Sequence, residues 1–221
     1  MPASYLKRLP LQGKISFIDV HIRQGGAADA LNWHAFVQGH VKTTRPQAPD
    51  AKWNWPWLLR TSTATEYVLG RRVGLFCLDV PSQDGKAVPL GMMMLSEGYP
   101  SLDGGTTPCV YIWYVATVPS AALKTLKAAV DKPGMILEAL LDTAIQRSYE
   151  LGYDGRVGLH ADQSGGEELF AKYRDKSRMI ALASKVSLSL IRQLKSGNDG
   201  RYFWTDPKLA QSLSNSLNYL R

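Results

Sequence analysis

A chain of 221 residues, 45% hydrophobic and 20% charged, has the composition of a soluble globular domain and the length to bury a substantial core. No apolar run approaches the ~20 residues of a membrane helix, and residues 1–14 carry basic side chains without an apolar stretch, which argues against a secretory leader. Cys77 and Cys109 both lie in apolar, strand-like runs and read as reduced core thiols, hence a cytoplasmic setting. The net charge of +7 is unevenly placed. Lys172, Arg174, Lys176, Arg178, Lys185, Arg192, Lys195 and Arg201 crowd a stretch whose acidic residues are Asp175 and Asp199. Such a run suits nucleic acid, an acidic protein face or the phosphates of a nucleotide cofactor, and equally a solvated basic face.

In chain order, residues 13–23 read as a first strand, with Ile15, Phe17 and Ile18 ahead of alternating Val20 and Ile22. After Gly25-Gly26, residues 27–40 suit a helix. A proline-bounded loop, 42–57, holds Trp53, Trp55 and Trp57, and a second helix is expected over 57–69, stopped at Gly70. Strands over 72–80 and 87–97 flank a turn at Ser82-Gln83-Asp84-Gly85-Lys86, a strong hairpin signal. A third strand, 110–118, ends at Pro119. The clearest helix is 133–151, with Leu137, Leu140, Leu141, Ala144 and Ile145 at three- and four-residue spacing behind Pro133-Gly134. Then follow a strand over 156–162, a helix over 166–176, strands over 179–185 and 201–205, a helical turn in 186–199 and a last helix over 207–220.

That order, β-α-α-β-β-β-α-β-α-β-β plus a C-terminal helix, resembles the GNAT N-acetyltransferases, with motif-level likeness over 108–179. The resemblance implies an α/β fold with a mixed central sheet in one domain. Residues 1–107 would form the acceptor-side half, 108–185 the acyl-CoA-binding half, and 186–221 a C-terminal strand and helix. It implies acetyl-CoA as co-substrate and no metal. Pantetheine would pair with the backbone of Ala116, Thr117 and Val118, where Thr117-Val118-Pro119 matches a common strand ending. Pyrophosphate would sit on the loop and helix start at Lys132, Gly134, Met135, Ile136 and Leu137; Met135 and Leu137 replace small residues of the family pattern. Lys124 and Lys127 are further phosphate candidates. Tyr173 falls where a tyrosine protonates the leaving thiolate, and Tyr114 stands where a base carboxylate is often found. Glu97, Asp162 and His160 are substitutes for that base.

The implied activity is acetyl transfer to an amine by direct attack. The amine would belong to a small molecule, a protein N-terminus or an aminoacyl-tRNA, with RNA held by the 172–201 segment; a homodimer is also compatible. Two alternatives stand beside it: a non-catalytic GNAT-like binding module, and a basic nucleic-acid-binding protein. The tryptophans read either as an acceptor wall or as a plug on the core. His34 and His40 lack metal-ligand spacing.

Overall fold

The computed structural model of the chain describes residues 4–82, 85–130, 132–183 and 199–221. Gln83 and Asp84 of the expected turn, residues 186–198 of the expected helical turn, and the basic residues Lys185, Arg192 and Lys195 lie outside the described residues. The strands are β1 (Arg8–Pro10), β2 (Phe17–Asp19), β3 (His21–Gln24), β4 (Arg72–Pro81), β5 (Ala87–Tyr99), β6 (Cys109–Thr117), β7 (Val157–His160), β8 (Ile180–Ala181) and β9 (Tyr202–Thr205). The helices are α1 (Ala27–Asn32), α2 (Gln38–Thr44), α3 (Trp55–Val68), α4 (Ser120–Thr125), α5 (Ile136–Glu150), α6 (Gly166–Ala171) and α7 (Pro207–Ser216).

A seven-stranded sheet runs in the order β3-β4-β5-β6-β7-β9-β8. Every pairing in it is antiparallel except that of β6 with β7. Helices cover both faces. On one face lies α3, whose Glu66 accepts a hydrogen bond from Ser96 of β5 at 2.6 Å and pairs with Arg71 at 2.5 Å. On the other lies α5, so close to β5 that a Cβ on Gly91 would fall 2.8 Å from Leu140. Its Arg147 reaches the sheet through Glu97. The mixed α/β architecture expected from the sequence is present.

Three differences from the expected elements have local causes. The expected first strand, 13–23, is broken into β2 and β3, and β1 precedes it. β1 and β2 form a hairpin of their own, and only β3 joins the main sheet. Helix α3 starts at Trp55, two residues early, because Asn54 accepts the Trp57 N–H and Pro56 sits in the first turn. Helix α5 starts at Ile136, not Pro133. Pro133 bridges Leu11, Gly134 donates its N–H to the Pro10 carbonyl at 2.8 Å, and Met135 takes a left-handed conformation, φ 57°, ahead of the helix.

Candidate active site

The site starts from a mismatch in strand pairing. Along β5 and β6, Met94 pairs with Tyr114 and Leu95 with Ile112, leaving Trp113 as an extra residue on β6. A bulge of this kind bends its strand and increases the local twist. On the other side of β6, pairing with β7 covers Val110, Ile112 and their partners Val157 and Leu159, and stops there. Past the bulge, 114–117 have no strand partner on the β7 side among the described residues. A cavity of about 640 Å³ occupies the gap.

The loop after α2 forms one wall. Arg45 donates to the Thr117 carbonyl at 2.5 Å and to the Asp50 carboxylate at 2.6 Å, tying the loop to the end of β6. Burial pushes the Asp50 carboxyl up from its ordinary value, with the Arg45 charge opposing. The three tryptophans take three different positions. Trp53 lines the cavity, edge-on to Tyr114 at 5.0 Å; Trp55 is fully buried against Trp33; Trp57 is 60% exposed.

The facing wall comes from the turn after β7. Asp162 accepts the Ser164 N–H at 2.8 Å, turning the chain off the sheet into α6. Arg201 donates to the carbonyls of Ala161 at 2.8 Å and Gly166 at 2.6 Å, fixing that turn. Phe170 and Tyr173 pack on Phe203 of β9. Tyr173 lies in a π turn, Lys172–Lys176, that changes the helical phase just where it meets the cavity. It is 5% exposed, and burial, reinforced by the Asp50 charge, holds its phenol protonated well above the ordinary tyrosine range.

Other candidate residues fall in different places. Tyr114 lines the cavity, and burial raises its pKa, which makes it a still poorer base at neutral pH. Ala116 is buried in the pairing with Met92, and Val118 donates its N–H to the Leu90 carbonyl. Leu137 lines the cavity, whereas Ile136 packs towards Gly91. Lys132 is exposed; its carbonyl accepts the Gln12 N–H, so the 132–134 strap is bound to the N-terminal hairpin. Glu97 is away from the cavity wall. Arg72 at 2.9 Å and Arg147 at 2.8 Å hold its two oxygens in ion pairs.

His160 lines the cavity too, and its Nε2 lies 2.9 Å from Oδ2 of Asp199. Burial works against ionised Asp199, but hydrogen bonds from the Arg201 amide, His160 and Gln163 outweigh it and keep the carboxyl below its ordinary range. Arg45, Asp50 and Asp199 were not distinguishable as site residues in the sequence. The first two sit in a proline-rich loop and the third in an Asn-Asp-Gly sequence; Thr117, which Arg45 holds, and His160, which faces Asp199, are remote from them in the chain. Among the described residues no group of three or more His, Cys, Asp or Glu side chains could hold a metal ion, and no helix is long and apolar enough to cross a membrane. Cys77 and Cys109 are both buried.

No protein-family model and no curated protein matches the chain. Solved structures do match. A GNAT-family acetyltransferase from Staphylococcus aureus Mu50 aligns at a TM-score of 0.51 and 11% identity, covering 85% of this chain and 99% of that one. A KacTA–DNA complex aligns at 0.49 and 16% identity over 90% and 99% of the two chains. Mycobacterium smegmatis RimJ in complex with CoA-disulfide aligns at 0.45 and 12% identity over 96% and 93%. The fold is that of the GNAT acetyltransferases.

Proposed function

We propose that the chain is an acyl-CoA-dependent N-acyltransferase that moves an acetyl group from acetyl-CoA to an amine. The observation that carries this reading is the parting of β6 from β7 at the Trp113 bulge, with Tyr173 on the wall of the resulting cavity. An unpaired strand edge offers alternating N–H and C=O groups to any amide-bearing chain, and pantetheine is such a chain. Leu137, Leu159 and Leu169 on the walls suit its methylene segments.

The phosphate end would be held differently from a glycine-loop cradle. The Gly134 N–H already serves Pro10, so the pyrophosphate would rest on the first-turn N–H groups of α5 and the positive end of its dipole, with Lys132 adding charge. Arg45 would exchange its hold on the Thr117 carbonyl for the incoming amide. At the reacting centre, backbone N–H groups of the bulged strand would stabilise the developing oxyanion. The Tyr173 phenol would protonate the departing thiolate.

Among acceptors, a small amine or a protein N-terminus is better supported than RNA. Arg174 pairs with Asp175, and Arg201 is engaged by backbone carbonyls, so two members of the basic run already have partners. The reading is tested by following free CoA thiol from acetyl-CoA in the presence of amines. Tyr173→Phe is expected to lower turnover by about 10²-fold while leaving acetyl-CoA affinity unchanged. Equal rates in the variant would remove Tyr173 from the chemistry. Failure to bind acetyl-CoA or release thiol with any amine would favour a non-catalytic binding module.

A further inference from the structure

We propose that His160 is the proton acceptor for the incoming amine, with Asp199 as its positioning residue. This rests on the transferase reading above and adds to it the group that activates the acceptor.

The argument begins with the two faces of β7. A Cβ on Gly158 would lie against Leu102 and Tyr111, on the face covered by α3. His160, two residues on, shares that face, with its ring 4.6 Å from Tyr202, a member of the same aromatic cluster as Tyr111. Leu159 points the other way and pairs with Phe203, against which Tyr173 packs. His160 and Tyr173 therefore line one cavity from opposite faces of the sheet, across the gap between the parted strands. Amine activation and thiolate protonation call for two separate groups, because nitrogen adds to one face of the carbonyl to form a tetrahedral intermediate before the C–S bond breaks.

Chemistry then fixes the roles within the pair. Asp199 is ionised and can only accept, so the Nε2 facing it carries the hydrogen and Nδ1 carries the lone pair. Nδ1 has no hydrogen-bond partner among the described residues. Asp199 is itself fixed by the Arg201 amide at 2.9 Å and the Gln163 side chain at 3.1 Å. The ring orientation is thus set by contacts that do not involve a substrate. In the reaction the ammonium first gives a proton to Nδ1, which frees the nitrogen lone pair to bond to the thioester carbon. As the tetrahedral intermediate collapses, the C–S bond breaks and the thiolate takes the Tyr173 proton. The nitrogen's second proton leaves to the Tyr173 phenolate. Exchange with water restores His160.

The test compares two probe acceptors at neutral pH. Glycinamide has an α-amine with a pKa of about 8 and is largely protonated; hydroxylamine is already neutral. Wild type, His160→Gln and His160→Ala are assayed for thiol release, with acetyl-CoA binding measured on each by calorimetry. The glutamine retains a donor for Asp199 and controls for folding. Both variants are expected to bind acetyl-CoA as wild type does and to lose about 10²-fold on glycinamide. On hydroxylamine the loss should be under about tenfold. Equal losses on both acceptors, no loss on either, or binding without wild-type turnover of either probe would overturn the assignment. If wild type fails to bind acetyl-CoA, the transferase reading itself fails and takes the assignment with it.

Discussion

At Glu97 two guanidinium groups meet one buried carboxylate, and their unequal exposure sets their worth. Arg72 is 74% exposed at its side chain and adds little. Arg147, 17% exposed, would lose the more buried of its two carboxylate partners and keep only Glu150. Glu97→Gln should therefore lower stability by about 2 kcal/mol in urea unfolding and leave acetyl-CoA binding unchanged. Weakened binding in a stably folded variant would return Glu97 to the site. As a sequence feature, an acidic residue at a strand end reads equally well as a base or as an ion-pair member, and only the position of Arg147, 50 residues away, decides. The helical position of Tyr173 was legible because its neighbours, Phe170 among them, form one short local helix pattern. Arg45 and Asp199 were not, since their partners lie 72 and 39 positions away.

Elements were legible where burial follows a simple period. β5 and β6 are rich in β-branched, aromatic and methionine side chains, and both strands appear close to the expected bounds. The Trp113 bulge was not legible, because it arises from register with β5 and not from any local break in composition. Likewise Pro133-Gly134 carries a valid helix-start signal, and pairing with the N-terminal hairpin overrides it. α4 is a short helix within an Ala- and Lys-rich insertion that reads only as a spacer. Close contact between β5 and α5 gives a prediction at this scale. In Gly91→Ala the new methyl would meet the flexible Leu140 end at 2.8 Å, the stiffer Cγ2 of Ile136 at 3.0 Å and the Ala116 carbonyl oxygen at 3.3 Å. The expected cost is about 1 kcal/mol, together with faster amide exchange in the first turns of α5 and weaker acetyl-CoA binding. Unchanged exchange would mean that the helix start is not seated on Gly91 as described.

Across the whole molecule, contacts between the two ends of the chain converge near α5. Lys7 donates its N–H to the Leu220 carbonyl, and Arg221 pairs with Asp142 on the helix. The β1–β2 hairpin holds the strap at 132–134. The first turn of α5 is thus anchored from the N-terminal hairpin, while the cavity opens between strands that have come apart. This combination supports the view that the chain keeps an acyl-CoA site without its usual glycine loop. Calorimetric titration of the full chain with acetyl-CoA, with desulfo-CoA as competitor, addresses that claim most directly. Saturable binding is expected, displaced by desulfo-CoA and weakened several-fold by Lys132→Glu through loss of charge near the phosphates. Absence of heat, with no competition, would contradict the claim and leave the parted strands without their proposed ligand.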